Sequence, residues 1–330
     1  MNESSFRCTR RQAIASGIGS SIALLTHASP AFAQQYPTKP VTVVVPFAAG
    51  GVVDRVARMI QQPLQTQLGK SLIIENRGGA GGTIGTAQVV KSAPDGYTLA
   101  MVYDSYATEQ HVYPQLPYVT MRDLTGVSCM VRSALVLVVS ANSPFKTLAD
   151  YLAASKKENL SYSTVGVAAG SHLAFELLHQ KAGTRATMIN YKGGGPSMTD
   201  LMGGHVHASF SSLPQIMSHL QNGKLRALGV TSSQRLAALP DVPSISETFP
   251  GFEFYSWVGL VAPAKTPPVI LDKLAQTVAA VFQDPQVRQQ VQEAGFEIVA
   301  SGRDEMNKLV ATESNRLGKL IKQLNISGQS

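Results

Sequence analysis

Two cysteines in 330 residues exclude most of what cysteine builds. Cys8 falls in a leader-like N-terminus and Cys129 stands alone after it, so neither an intramolecular disulfide nor a cysteine zinc site is available. Cys129, inside the strand-like Val127-Ser-Cys-Met-Val131, reads as a small buried core residue. Charge is also sparse, at 15% of residues, and it is scattered. The net charge of +7 falls to +5 once residues 1–33, with Arg7, Arg10, Arg11 and Glu3, are set aside. That modest excess is compatible with anionic solutes, but scattered, solvated surface charge is the preferred explanation of it. The chain has no basic run and no interleaving of Arg with aromatics, so a nucleic-acid partner is not expected. No apolar run after the leader reaches the ~18 residues of a membrane span. A Gly-x-Ser-x-Gly elbow and a His-Glu-x-x-His pair are both missing, which removes the turn of an α/β serine hydrolase and the zinc helix of a metalloprotease.

What the chain does have begins with a leader. Residues 1–33 combine a basic start, a mildly apolar stretch from Ala13 to Leu25 and Ala31-Phe-Ala33 as a small-x-small cleavage site, so cleavage is expected after Ala33. Thr9-Arg-Arg-Gln12 resembles a twin-arginine signal, although Ala13 stands where a bulkier residue is usual; the ordinary secretory route therefore stands beside it. No lipid-attachment cysteine follows, and the mature protein is expected free in the periplasm.

From Tyr36 onward strands and helices alternate. Val41–Val45 is a β-branched run without polar alternation, the mark of a strand buried on both faces. A helix to Leu68 follows, with Val52, Val56, Met59, Ile60, Leu64 and Leu68 at three- and four-residue spacing. The turn between them, Pro46 to Gly51, places helix N–H groups at the strand's C-terminal edge, where open α/β sheets bind ligands. Two readings stand for it: an anion site, or a tight βα turn in which Asp54 merely complements the helix dipole. Further elements are predicted at Leu72–Glu75, Gly85–Ser92 and Leu99–Val102, and then at Met130–Ser140, with a helix from Asn142 to Lys157. A second series follows at Leu160–Ser163, Ser171–Ala182, Thr187–Tyr191, Pro196–Met202, His205–Phe210, Leu213–Asn222 and Leu225–Thr231. Its helices open at Gly170-Ser171, Gly193-Gly194-Gly195 and Ser211-Ser212. Two such series imply an α/β protein of two similar lobes, each a mainly parallel sheet flanked by helices. Phe252–Val261 then reads as a strand crossing back, followed by helical segments that close the first lobe.

Two glycine motifs imitate nucleotide sites and fail. Gly78-Gly-Ala-Gly-Gly82 puts Ile84 where the third glycine of a dinucleotide fingerprint belongs, and Gly69-Lys70-Ser71 has Leu64 where a phosphate loop needs glycine. No nucleotide or other cofactor is expected. His205 and His207 share one predicted strand face, but no third ligand is evident at metal spacing, so strand-edge packing or solvent exposure is preferred to a metal.

Seven short blocks in one order carry a family resemblance. They are Pro46-Phe-Ala-Ala-Gly-Gly-x-x-Asp54, Glu75-Asn-Arg-Gly-Gly-Ala-Gly-Gly-Thr-Ile-Gly85, Ala93-Pro-Asp-Gly-Tyr-Thr-Leu99, Tyr191-Lys-Gly-Gly-Gly-Pro196, Asp200-Leu-Met-Gly-Gly204, Gly223-Lys-Leu-Arg-Ala-Leu228 and Leu239-Pro-Asp-Val-Pro243. Together they resemble the Bug receptors, periplasmic solute-binding proteins of tripartite tricarboxylate transporters. The resemblance implies a type II periplasmic-binding fold with a ligand cleft between lobes: 34–138 with 256–330, and 139–255. It also implies a receptor that holds a carboxylate with backbone and hydroxyl groups. The carried-over positions are Phe47, Ala48, Ala49, Gly50, Gly51 and Asp54, then Gly170, Ser171 and His172, then Lys192, Gly193 and Gly194, and lastly Ser211, Ser212 and Leu213. His172 is open to a packing or capping role as well as ligand contact.

One stretch departs from that family. Tyr103-Asp-Ser-Tyr-Ala-Thr108 replaces a smaller turn, which brings Ser105 and Tyr106 into the candidate set. Tyr106 is placed either to stack on a flat ligand or to cover the loop, and Asp104 either to repel a second carboxylate or to pair with an amine. On this basis aromatic or monocarboxylic acids rank above citrate. The function expected is an exported, non-enzymatic, monomeric receptor that delivers a small carboxylate to membrane transporter subunits or a sensor. A periplasmic enzyme or a ligand-sensing accessory using the same cleft is the alternative.

Overall fold

The computed structural model describes residues 36–191 and 194–328, so the expectations for the leader and for Lys192 and Gly193 lie outside the described residues. The short N-terminal unit, Met1–Thr38, contributes only the irregular Tyr36–Thr38; Lys39–Ser330 is one compact unit.

That unit opens with β1 (Val41–Val45), α1 (Val52–Leu68), β2 (Leu72–Asn76), α2 (Thr83–Val90) and β3 (Thr98–Tyr103). The single-turn helices α3 (Glu109–Val112) and α4 (Thr120–Asp123) lead into the long strand β4 (Leu124–Ser140). A second series follows: α5 (Leu148–Ser155), β5 (Leu160–Thr164), α6 (Gly170–Ala182), β6 (Ala186–Asn190), α7 (Gly194–Gly203), β7 (Ala208–Ser212), α8 (Leu213–Gln221) and β8 (Leu225–Val230). The chain returns through β9 (Tyr255–Pro263) and ends with α9 (Pro268–Val281), α10 (Pro285–Glu293), β10 (Glu297–Ile298) and α11 (Arg303–Gln323).

The two halves repeat one strand order. In the first, β1 lies between β2 and β3, parallel to both, and antiparallel β9 and then β4 extend the sheet beyond β3. In the second, β5 lies between parallel β6 and β7, and antiparallel β4 and then β8 extend it beyond β7. β4 serves both. Its residues Leu124 to Ala134 pair with β9, and Leu135 to Ser140 pair with β7 and β8. The sheet is therefore mixed, with a parallel three-strand core in each half. Each half is an α/β layer of its own, and the strand exchange gives the two-lobed form.

The helices follow from their apolar spacing. α1 buries Val53, Val56, Ala57, Ile60, Leu64 and Leu68 and stops at Gly69, whose left-handed φ of 66° caps it. Burying a side chain such as Ile60 contributes about 1.5–3 kcal/mol. The first-half core gathers Val44, Ala100, Val102, Trp257, Val261 and Met306. The second-half core stacks Phe175 on Tyr162 with ring centroids 4.2 Å apart, and Leu317, Leu320 and Ile321 of α11 join it from the C-terminal segment.

Several predicted boundaries move, three of them with a physical reason in the fold. β4 starts at Leu124 and not Met130, because pairing with β9 carries the strand through the less apolar Thr125, Gly126 and Ser128, with register shifts between Gly126 and Ser128 and between Cys129 and Val131. α5 starts only at Leu148, where Thr147 and Asp150 close a capping box. β7 starts at Ala208, so His205 and His207 sit in the turn before it and share no strand face. There His207 Nδ1 accepts the Ser161 amide at 3.0 Å. Among the described residues no three His, Cys, Asp or Glu side chains cluster as a metal would need, and no helix is long and apolar enough to cross a membrane. Cys129 is free and buried, and burial pushes its thiol up to about 12.

Candidate functional site

The C-terminal ends of the strands in both halves turn toward the crossover strands, and the predicted site residues divide between two surfaces there. The first is the β1–α1 turn. Ala48, Ala49 and Gly50 are exposed, and Gly50 takes a left-handed φ of 79° that a residue with Cβ rarely adopts. Asp54 fixes this turn from below. Its buried carboxylate accepts the Gly50 amide at 2.8 Å, Arg58 Nε at 3.0 Å and Asn76 Nδ2 at 3.0 Å. Burial pushes the Asp54 carboxyl up, but those three donors outweigh it and hold the group below the usual carboxylate range. Asp54 is thus occupied in shaping the turn. Phe47 meets Tyr103 edge-on at 6.1 Å, and Arg55 Nη1 reaches across to the Pro214 carbonyl at 3.4 Å, joining α1 to the first turn of α8.

The second surface is a small cavity of about 40 Å³ at the ends of β5 and β7. Ser163, Thr164, Ser171, Ser197, Ser209, Ser211 and Ser212 line it from the second half, and Tyr103 and Ser256 from the first. Its lining carries no charged side chain among the described residues. Most of the hydroxyls pair with one another: Thr164 with Ser171 at 3.0 Å, Ser197 with Ser163 at 2.8 Å, and Ser209 with Ser211 at 3.0 Å. Ser212, the N-cap residue of α8, is the exception. Its buried Oγ makes neither a cap bond nor any other hydrogen bond among the described residues.

Of the predicted residues, Gly170, Ser171, Ser211 and Ser212 come together on this cavity, and Gly51 stands at the N-cap of α1. Gly194 packs under Gln215, which lines the cavity. Leu213 is buried in the core with Val136 and Ile216. His172 does not line the cavity. Its Nδ1 accepts the Ala168 amide at 3.0 Å, and burial pushes its pKa down to about 4, leaving a neutral ring that shapes the turn before α6. Ser105 is half-buried and donates to the Gly81 carbonyl at 3.4 Å. Tyr106 is buried against Val102, Ala107 and Trp257, and its hydroxyl donates to the Thr120 carbonyl at 3.2 Å, so it offers no stacking face to a ligand. The ranking of aromatic acids that rested on Tyr106 loses its basis.

Sequence reasoning missed Ser163, Thr164, Ser197, Ser209, Ser256, Tyr103 and Gln215. The signal was present as alternating hydroxyls at strand ends, Ser161-Tyr-Ser-Thr164 and Ser209-Phe-Ser-Ser212.

Two α/β halves that exchange strands, with a hydroxyl-lined cavity where their strand ends meet, define a solute-binding protein of the two-lobed kind. Residues 56–326 match the tripartite tricarboxylate transporter family receptor, and the chain belongs to that family. BugT of Bordetella pertussis is 33% identical over 311 residues, covering 93% of this chain and 95% of that protein. Among solved structures, the periplasmic binding protein BugD matches with TM-score 0.82 at 31% identity, over 89% of this chain and 100% of the other. R. palustris Rpa4515 with adipate matches with TM-score 0.83 at 32% identity, over 88% and 99%. The family is one of receptors, and the chain is a periplasmic binding protein of that class and not an enzyme.

Proposed function

We propose that this receptor captures a small carboxylate between its halves, closes over it by hinge motion about the β4–β9 crossover, and delivers it to the membrane subunits of a tripartite tricarboxylate-type transporter or to a sensor. The moving lobes are residues 34–138 with 256–330, and 139–255. The chain reaches the periplasm through its leader, by the twin-arginine or the secretory route, with cleavage after Ala33, and works as a monomer.

The observation that carries this reading is the wall of the cavity: hydroxyls and helix starts, with no charged side chain among the described residues and the Ser212 Oγ unpartnered at the start of α8. Helix N–H groups and hydroxyls solvate an anion without the desolvation cost of a buried unpaired charge. The turn at Phe47, Ala48, Ala49, Gly50 and Gly51, exposed at Ala48 to Gly50, faces the same task from the first half, and Lys192 and Gly193 complete the set by resemblance. Gly51→Asp tests it. The new carboxylate sits at the start of α1 and should abolish binding of every acid in calorimetry while circular dichroism stays unchanged. Unaltered affinity in a folded variant would remove the first turn from the site.

A further inference from the structure

Asp104 packs behind the cavity wall and is not itself one of its lining residues. It follows Tyr103 at the end of β3, is 4% exposed, and accepts a short hydrogen bond from the Ser256 hydroxyl on Oδ2. The amides of Ser105 and Gly170 attract the same carboxylate. Gly170 opens α6, and a Cβ at that position would strike Asp104 Oδ2, Phe254 and Ser256, so the approach is possible only with glycine. Oδ1 is buried and has no hydrogen-bond partner among the described residues. Tyr103, Gly170 and Ser256, the residues around Asp104, all line the cavity.

Two helices of the second half therefore start on this cavity with different fates. At α6 the anion position is filled by the protein's own carboxylate; at α8 the Ser212 hydroxyl is unpartnered. From this, and resting on the proposed carboxylate function, we infer that Asp104 is a specificity-determining residue that stands in for a second ligand carboxylate. The ligand then carries one carboxylate and, at its other end, a hydrogen-bond donor such as a hydroxyl or an ammonium.

Two physical arguments support this. A dicarboxylate would bring like charges together in a water-poor cleft, where repulsion is strong. A donor group at that end would instead satisfy the orphan Oδ1, whose lack of a partner otherwise costs stability. Burial pushes the Asp104 carboxyl up to about 7 against the opposing pull of Ser256 and the Ser105 and Gly170 amides, and the Glu313 charge raises it further. The group is therefore largely ionised only above neutral pH.

The test is calorimetry at pH 8 with four-carbon acids of equal length: succinate, 4-hydroxybutanoate and 4-aminobutanoate, with adipate and 6-hydroxyhexanoate as a longer pair. The wild-type protein should bind the hydroxy or amino acid at least tenfold more tightly than the matched dicarboxylate. In Asp104→Asn, whose amide oxygen still accepts from Ser256, the ratio should collapse because the dicarboxylate gains at least tenfold. The two four-carbon donor-bearing acids show which donor is preferred. A wild-type protein that binds succinate or adipate as tightly as the matched hydroxy and amino acids overturns the inference and leaves the carboxylate function standing; that result needs no variant to fold. An Asp104→Asn protein that binds with unchanged selectivity also overturns it. Failure of all five acids to bind the wild-type protein overturns the carboxylate function itself, and the inference with it.

Discussion

The two halves share a strand order, yet they meet the cleft with opposite materials. The first half brings glycine-rich turns with an exposed backbone, Ala48 to Gly50 and Gly78 to Gly81, tied down by charged groups such as Asp54 and Arg58. The second brings buried side-chain hydroxyls joined in pairs. Their buried titratable groups differ in the same way. Asp104 and Glu109 of the first half have pKa values raised by burial, to about 7 and about 8, whereas His172 and His179 of the second are pushed down to about 4, also by burial. A common architecture thus fixes where strand ends point, and local residues decide whether backbone or side-chain groups are presented there.

The comparison can be broken at several places, and the largest effect is expected in the second core. Phe175 stacks on Tyr162 and meets Phe210 edge-on at 4.6 Å, so Phe175→Ala should cost about 3–5 kcal/mol in denaturant melts. Gly170→Val comes next, at about 1–3 kcal/mol, because its Cβ overpacks the junction with Asp104 and Ser256. Measured by the same melts, Asp54→Ala should be comparable, about 1–3 kcal/mol, since Gly50, Arg58 and Asn76 all lose an acceptor. Ser212→Ala is smallest, within about 0.5 kcal/mol of the wild type, because its hydroxyl makes no bond to lose; the same substitution should weaken acid binding measurably.

The pH dependence separates the halves without any mutation. Asp104 and Glu109 have raised folded pKa values, so their contribution is fully present below about pH 4 and is lost as pH rises toward 7 and 8. His172 and His179 have depressed values, so theirs is present above about 6.5 and is lost as pH falls toward 4. The two slopes oppose each other between about 4.5 and 6.5, and only the acids act above that. Thermal melts should therefore show stability falling from pH 6.5 to 8. Asp104→Asn combined with Glu109→Gln should flatten that limb, and a limb that stays would assign it to other groups.

Much of this was legible in the chain. The β-branched Val41–Val45, the apolar spacing of α1 and the repeated βα alternation all specify local structure directly. Side-chain destinations were harder to read. Tyr106 and His172 have the residue types of ligand contacts, but burial and local partners, the Thr120 carbonyl and the Ala168 amide, absorb them. The early start of β4 depends on β9, more than a hundred residues away in the chain. Asp104 was visible as a departure, but its grip on the start of α6 depends on Gly170 and Ser256, which only the fold brings near.

The central claim is that the hydroxyl and helix-start surface holds an anion. A thermal-shift screen of the mature protein against small carboxylic acids and their uncharged amides tests it most directly, with Trp257 fluorescence as a second readout. A ligand at about a hundred times its dissociation constant adds roughly 2.7 kcal/mol to the folded state. That predicts a rise of about 5–10 °C in Tm for at least one carboxylate and none for its amide. Equal stabilisation by the amide, or stabilisation by neutral sugars or cationic amines alone, would contradict it.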